Sequence, residues 1–159
     1  RRVGEETGIC LRLAHTLPIK VPCKRLHPYA QLPVRATDGA AGYDVRSVER
    51  LTLQPGDHAV VATGLATQIP AGTVLYAFSR SGHGFTYGVR LRNCVGVIDS
   101  DYRGELKVAL KNDGDRPLNI EVGDRIAQVV LTPFYTIEAS FGDIDETERG
   151  AGGFGSTGS

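Results

Sequence analysis

The C-terminal segment from Arg149 to Ser159 combines residue types that suit the binding of a phosphorylated ligand. It holds five glycines, one guanidinium, one aromatic ring and three hydroxyl groups. Glycines let backbone N–H groups approach an anion closely, Arg149 can bind phosphate oxygens through two hydrogen bonds, and Phe154 can stack on a base. The composition therefore predicts an arm that closes over a nucleotide polyphosphate, although a flexible Gly/Ser linker has the same composition.

The stretch from Gly96 to Glu105 is the densest candidate for catalysis. An apolar run ends at Ile98, the next three residues suit a tight turn, and a second alternating run follows from Glu105. This pattern predicts a β-hairpin with Asp99 buried at its neck, where a rigid carboxylate could serve as general base toward water. Tyr102 could pack flat against a sugar or base. An ordinary hairpin whose polar residues stabilise the turn fits equally well.

Three shorter segments carry polar groups beside predicted strands. Arg80 and Ser81 follow one strand, where a short helix could begin and offer N–H donors to an anion. Asp44 stands at the head of another strand, and Arg125 and Gln128 begin a third one after a turn. Each segment also has a purely structural interpretation, as a helix cap, an Asx turn or an interface.

The sequence shows no pattern for metal binding or covalent catalysis. The four histidines, at positions 15, 27, 58 and 83, lack metal-ligand spacing, and His83 is interpreted as structural. No Ser/His/Asp set or activated cysteine stands out. The cysteines at positions 10, 23 and 94 fit neither a disulfide framework nor a zinc site, so they favour a reducing compartment.

Composition sets the frame for these groups. The chain has 159 residues, 41% of them hydrophobic, which suits one domain with a real core. Its formal net charge is zero, so no global field attracts nucleic acid or an anionic membrane, and a bound polyanion must be held by local charges. No apolar run is long enough to span a membrane.

Short β-rich runs between evenly spread glycines and prolines predict an all-β sandwich, jelly roll or barrel. A single short helix is expected after Ser79–Gly82. Residues 1–20 are predicted to be an extension with one candidate strand at Ile9–Leu13, residues 21–141 the domain, and residues 142–159 a mobile arm. The candidate strands of the domain are His58–Thr63, Leu65–Ile69, Thr73–Phe78, Glu105–Leu110 and Ile126–Thr132.

Five segments, in this order, resemble the motifs of the trimeric all-β dUTP pyrophosphatases (dUTPases). The resemblance covers residues 21–159. It implies a jelly-roll-like β-barrel and a homotrimer whose active sites are shared between subunits. It also implies hydrolysis of dUTP to dUMP and pyrophosphate, with Mg²⁺ on the triphosphate. The segments are Ala41–Ser47, Ser79–Gly82, Asn93–Gly104, Gly123–Gln128 and Arg149–Gly158.

Roles follow from this resemblance for residues that match the motifs. Asp99 is implied as the base that activates the attacking water. Tyr102 is implied under the deoxyribose, where it would exclude a ribose 2′-OH. The uracil is implied to be read by Asn93, by the backbone near Val97 and Ile98, and by the backbone near Lys107.

The resemblance also assigns the phosphate contacts. They are implied at Arg80, Ser81, Gly82 and Gln128. The arm is implied to add a phosphate clamp and a uracil lid, Phe154. No direct protein ligand to the metal is expected, and Asp44 is implied near its water shell. The implied substrate contacts of the arm beside the lid are Arg149, Gly155, Ser156 and Thr157.

Two other functions remain open at this stage. A dCTP deaminase shares the fold, but it needs a glutamate in the strand after Asp99, and Ala109 occupies the matching place. A catalytically silent β-trimer that binds a signalling partner would be expected to lack Asp99 or the arm, and both are present. A cytoplasmic location is expected, or the host-cell cytosol or nucleus for a viral protein, with no nucleic acid or membrane as partner.

Overall fold

The computed structural model describes residues 18–153. The described chain forms eleven strands and one short helix, which confirms the all-β class predicted from the short apolar runs. The strands are β1 (Cys23–Arg25), β2 (Tyr43–Arg46), β3 (Leu51–Leu53), β4 (His58–Ala62), β5 (Leu65–Thr67), β6 (Thr73–Phe78), β7 (Val89–Leu91), β8 (Gly96–Ile98), β9 (Lys107–Asn112), β10 (Leu118–Ile120) and β11 (Arg125–Pro133), and the helix is α1 (Ser81–Tyr87).

Two sheets carry the longest strands. The first has four strands in the order β2-β11-β6-β8, the second has three in the order β4-β9-β7, and two further pairs join β1 to β5 and β10 to β3. All these pairings are antiparallel. Strand β11 lies between β2 and β6, so Gln128 is opposite both Asp44 and Phe78. This register brings three sequence-distant segments to one place.

The core forms because alternate residues of the strands point inward. In β9, Val108 and Leu110 are buried, while Ala109 and Lys111, which alternate with them, are only partly buried. They pack in one cluster with apolar residues of both sheets. Full burial of one aliphatic side chain contributes about 1.5–3 kcal/mol, so this cluster holds the two sheets together.

Helix α1 follows β6, as the sequence predicts. It ends at Tyr87, and the following residue, Gly88, has φ 68° and donates its N–H to the carbonyls of Gly84 and His83. Glycine adopts this left-handed conformation without steric cost, so the chain can turn directly into β7. In the described part of the chain, no helix is long and apolar enough to cross a membrane.

The predicted hairpin around Asp99 is wrong. Strand β8 pairs with β6, whereas β9 pairs with β4 and β7, so the two strands lie in different sheets. Residues 99–106 cross between the sheets. Leu106 is buried, and its N–H donates to the Leu65 carbonyl at 2.7 Å. Alternation predicts each strand separately, but it does not specify its partner.

The strands that the sequence did not predict are all short. Strands β1, β3, β7 and β10 have three residues each, which is too few for a period of two to stand out. The candidate strand Ile9–Leu13 lies outside the described residues. Residues 134–153 contain no strand, and most of them are exposed.

Candidate active site

A pocket of about 300 Å³ lies against β8 and the chain that follows it. Its lining includes Asn93, Gly96–Ile98, Asp99, Tyr102 and Lys107. We call it the β8 pocket. Because β8 is an edge strand paired only with β6, the backbone groups of its other edge are available to a ligand. The structure thus brings the residues predicted to read the uracil together with Asp99, the predicted general base, and Tyr102, the residue predicted under the sugar.

Tyr102 is fixed in the wall of the β8 pocket. Its N–H donates to the Asp99 carbonyl at 3.2 Å, and its hydroxyl donates to the Glu105 carbonyl at 3.0 Å. A Cβ on Gly104 would collide with the tyrosine ring, so glycine at this position lets the ring lie over the backbone. Tyr102 is 47% exposed, and its ring offers a flat, rigid face to a ligand.

Asp99 differs from expectation in its surroundings. It lines the pocket but is exposed in the single chain, not buried as the sequence predicts. The reason is that the predicted hairpin does not form. Residues 99–106 cross to the other sheet, so no second strand covers the end of β8. An exposed carboxylate at a pocket rim can still take a proton from a water held beside it.

Asn93 is held by a tight turn at the entrance to β8. Its side-chain amide donates to the Val95 carbonyl at 3.3 Å, and the Val95 N–H donates to the Asn93 carbonyl at 2.7 Å. Cys94 between them has φ 64°, a conformation that is uncommon outside glycine. The turn fixes the Asn93 side chain at one end of the pocket.

A second group of polar side chains, which we call the Arg80 cluster, consists of Asp44, Arg80, His83, Arg125 and Gln128. Asp44 is only 16% exposed and forms ion pairs with both arginines: Arg80 Nε lies 3.4 Å from Oδ1, and Arg125 Nη1 donates to Oδ2 at 3.2 Å. One carboxylate thus holds two guanidinium groups side by side. Such a pair is suited to bind a polyanion.

Gln128 and the start of α1 complete the Arg80 cluster. The Gln128 amide donates to the Ser79 carbonyl at 3.2 Å. A Cβ on Gly42 would collide with the Gln128 side chain, so the first segment needs glycine there. Ser81 and Gly82, both exposed, follow Arg80 directly. Of the four predicted phosphate contacts of the domain, Arg80 forms an ion pair with Asp44 and Gln128 lies opposite Asp44, while Ser81 and Gly82 are the next residues after Arg80.

His83 belongs to this cluster, and its interpretation as merely structural missed this contact. Its Nε2 lies 3.2 Å from Arg80 Nη1. Burial lowers the pKa of the imidazole and Arg80 lowers it further; Asp124 acts in the opposite direction and Arg125 in the same one. The i, i+3 spacing to Arg80 at a helix start is the signal that could have revealed the contact.

Asp99, at the rim of the β8 pocket, and the Arg80 cluster lie toward opposite ends of β6. Ile98 is opposite Leu75, and Arg80 comes five residues after Leu75. At about 3.3 Å per residue, Asp99 and Arg80 are roughly 20 Å apart along the sheet. Gly96, opposite Ala77, lies between them.

The predicted arm is described only in part. Arg149 is exposed, and its Nε donates to the Gly152 carbonyl at 2.8 Å within a local turn. The structure does not bring it to the β8 pocket or the Arg80 cluster, since no contact with either is formed within residues 18–153. The predicted lid Phe154 and the contacts Gly155, Ser156 and Thr157 lie outside the described residues.

An edge-strand pocket and an arginine pair on an all-β scaffold define a protein built to bind a phosphorylated ligand. The family model described as dUTPase matches residues 28–158. The deoxyuridine 5'-triphosphate nucleotidohydrolase of Desulfitobacterium hafniense (strain DSM 10664 / DCB-2) is 46% identical over 148 residues, which cover 91% of this chain and 98% of that protein. The chain belongs to the dUTPase family.

Further relatives agree with this membership. The enzyme of the same name from Helicobacter pylori (strain P12) is 40% identical over 141 residues, covering 88% of this chain and 97% of that protein. A solved structure of the Staphylococcus bacteriophage 80alpha dUTPase with dUPNHPP has a TM-score of 0.81 and 31% identity, covering 88% of this chain and 99% of that one. The all-β class expected from the sequence is therefore confirmed, and the fold is similar to that of solved dUTPases.

Proposed function

We propose that this protein is a dUTP diphosphatase that hydrolyses dUTP to dUMP and pyrophosphate and so supplies dUMP for nucleotide metabolism. The observation that carries the proposal is the β8 pocket, where the exposed edge of β8, the fixed ring of Tyr102 and the carboxylate of Asp99 line one cavity. The names of relatives up to 46% identical support it.

Base selection is assigned to the backbone of β8 together with Asn93 and the start of β9 at Lys107. Uracil and cytosine differ because the exocyclic amine of cytosine replaces an acceptor by a donor. A rigid edge strand cannot reverse its own donors and acceptors, so cytosine would leave polar groups unpaired. Rejection of this kind can reach about four to five orders of magnitude.

Water attack is assigned to Asp99. The carboxylate takes a proton from a water molecule, the water oxygen bonds to the α-phosphorus, and the bond to the bridging oxygen breaks so that pyrophosphate leaves. The reaction needs positioning and charge stabilisation more than covalent help. Tyr102 supports the deoxyribose from below, where a ribose 2′-OH would meet the ring.

The remaining phosphates are assigned to an Arg80 cluster with Ser81, Gly82 and Gln128. A nucleotide whose base lies on Gly96–Ile98 and whose sugar lies over Tyr102 leads its phosphates past Asp99, away from Arg80 of the same chain. Roughly 20 Å is also more than the few ångströms that separate neighbouring phosphates. The arginines of a site therefore come from another copy of the chain.

We propose that these copies form a homotrimer, as the motif resemblance implies. Apolar side chains on one flank of the chain support an interface: Leu32, Val34 and Tyr43 are 62%, 55% and 40% exposed beside a groove of about 540 Å³. Exposed apolar surface of this kind marks protein contacts. The third subunit contributes its arm, residues 142–159, with Arg149 and the residues after it closing the site.

Mg²⁺ is proposed as the metal, bound by the substrate's phosphates and not by a protein cage. Within residues 18–153, no three His, Cys, Asp or Glu side chains are placed to hold a metal ion. Asp44 is the carboxylate beside the arginine pair, and a water molecule could link it to the ion, as a hard oxygen donor suits Mg²⁺. The ion would neutralise charge that develops on the leaving pyrophosphate.

The deaminase alternative has less support. Ala109 lines the β8 pocket and provides no acid or base. The carboxylate of Glu105 accepts from the Gly64 N–H at 2.9 Å and lies 3.6 Å from Lys107 Nζ.

A reducing, cytoplasmic location is part of the proposal, and Cys23 and Cys94 are free thiols in the described chain.

The test is to incubate the protein with dUTP, dCTP or UTP in the presence of Mg²⁺ and to separate the products. We expect dUMP and pyrophosphate from dUTP, and little turnover of the other two. Release of dUTP from dCTP would support a deaminase. Binding of dUTP without turnover would support the silent trimer.

A further inference from the structure

The contact between His83 and Arg80 fixes which nitrogen of the imidazole carries the proton. A guanidinium has only donors, so Nε2, 3.2 Å from Arg80 Nη1, must accept the hydrogen bond. Only the neutral ring can do so. Its proton then resides on Nδ1, which is buried and has no partner among the described residues. The buried N–H at Nδ1 therefore lacks a hydrogen bond, which costs free energy, while Nε2 provides an acceptor beside Arg80.

The same contact decides which edge of Arg80 faces a ligand. Nη1 donates to His83 and to the Arg125 carbonyl at 3.1 Å, and Nε is directed to Asp44. These three partners fix the plane of the guanidinium. Within residues 18–153, the hydrogen bonds of the Arg80 side chain come from Nη1, so Nη2 is the group that remains for an anion.

The charged groups around His83 favour the neutral ring near pH 7. Two cations, Arg80 and Arg125, and one anion, Asp124, act on it directly, and Asp44 lies behind the arginines. Burial and Arg80 together hold the pKa below its ordinary value of 6.5. The acceptor is thus present at neutral pH and is lost as the pH falls through this lowered pKa.

We propose that His83 is a positioning residue for the phosphate-binding arginine: its neutral imidazole holds Arg80 so that Nη2 faces the phosphates of the nucleotide. The inference rests on the proposed function and extends it to a residue outside the predicted set of contacts. Protonation of the ring removes the acceptor and adds a cation beside Arg80, so the guanidinium turns away and substrate binding weakens at acid pH.

Two substitutions separate positioning from packing. His83→Leu fills the space without an acceptor, and His83→Gln supplies an amide oxygen that does not titrate. At neutral pH we expect His83→Leu to raise KM for dUTP about three- to tenfold with kcat nearly unchanged, as for loss of a hydrogen bond to a charged group. His83→Gln should restore most of the affinity. His58→Gln, at an exposed site in β4, is the matched control.

The pH profile gives the second readout. The ratio of the wild-type KM to that of His83→Gln should be near one at neutral pH and should rise as the pH falls through the lowered pKa of the imidazole, where the ring gains a proton. A ratio that stays flat or falls would overturn the proposal. An unchanged KM in His83→Leu would also overturn it. So would an equal increase in KM and an equal loss of thermal stability in His83→Leu and His83→Gln.

A third measurement is independent of dUTP turnover. Nitrogen-15 NMR of the imidazole should find the Nδ1–H tautomer of His83 at neutral pH, and Arg80→Ala should remove this preference. Finding the Nε2–H tautomer would overturn the inference even in an active enzyme. If dUTP is not hydrolysed but the tautomer depends on Arg80, the proposed function fails and the contact stands.

Discussion

The β8 pocket and the Arg80 cluster are built in different ways. The pocket comes mostly from one continuous stretch, Asn93–Lys107, and presents backbone groups, one ring and one carboxylate. The cluster joins residues up to 84 positions apart, from Asp44 to Gln128, and depends on ionic contacts. A local stretch recognises shape and donor pattern, whereas paired strands from distant segments concentrate charge. The two regions should therefore respond differently to substitution.

The largest effect is expected from the pocket. Asp99→Asn keeps the shape but cannot accept a proton, so kcat should fall about 10²–10⁴-fold with dUTP affinity nearly unchanged. Single-turnover kinetics and equilibrium binding of dUTP measure the two quantities. Activity within a few-fold of the unmodified enzyme would remove Asp99 from this role.

Mixed oligomers test whether the two regions of one site belong to different chains. Asp99→Asn and Arg80→Ala subunits, each almost inactive alone, should regain activity after joint unfolding and refolding. With random mixing, about a quarter of the sites would combine an intact Asp99 with an intact Arg80 from a neighbour. Mass spectrometry confirms the exchange. No regained activity in exchanged oligomers would mean that each site uses both residues from one chain.

Removing the common anchor of the arginines should affect the cluster without changing the base preference. Asp44→Asn leaves Arg80 and Arg125 without their shared carboxylate, and we expect kcat/KM for dUTP to fall about tenfold, the scale of a charge-assisted contact. The ratio of dUTP to dCTP turnover should stay unchanged. A change in that ratio would contradict the division between the two regions.

Tyr102→Ala, in the β8 pocket, should change the selection of the sugar, whereas Asp44→Asn should leave substrate preference unchanged. Without the ring, dUTP binds a few-fold more weakly, about the contribution of one aromatic contact, and the preference for dUTP over UTP relaxes. Tyr102→Phe, which loses only the hydrogen bond to the Glu105 carbonyl, is the matched control and should retain the preference. An unchanged preference in Tyr102→Ala would refute the assignment.

The smallest effect concerns Gly42. A methyl group there would displace the flexible end of Gln128, which weakens its bond to Ser79 but leaves the core intact. Gly42→Ala should raise KM about two- to threefold, as for one neutral hydrogen bond, with an unchanged melting temperature. A large loss of stability would instead place Gly42 in the structural framework.

The sequence alone determined the fold class and the strands long enough to show alternation. Thr73–Phe78 was predicted with its observed bounds, and the longest strand, Arg125–Pro133, extends its prediction by one residue at each end. The motif order also identified the family. These features are local or compositional: alternation places hydrophobic residues on one face, and glycine permits close approach wherever it occurs.

Only the tertiary structure decided which strands pair, and so where the polar groups meet. The crossing of residues 99–106 to the other sheet exposed Asp99, and the register of β11 against β2 and β6 joined Asp44 to Arg80 and Arg125. The contacts of Asp44 with the two arginines join residues far apart in the chain. Alternation repeats every two residues along each strand and carries no information on its partner or its register, so the packing of the whole core selects them.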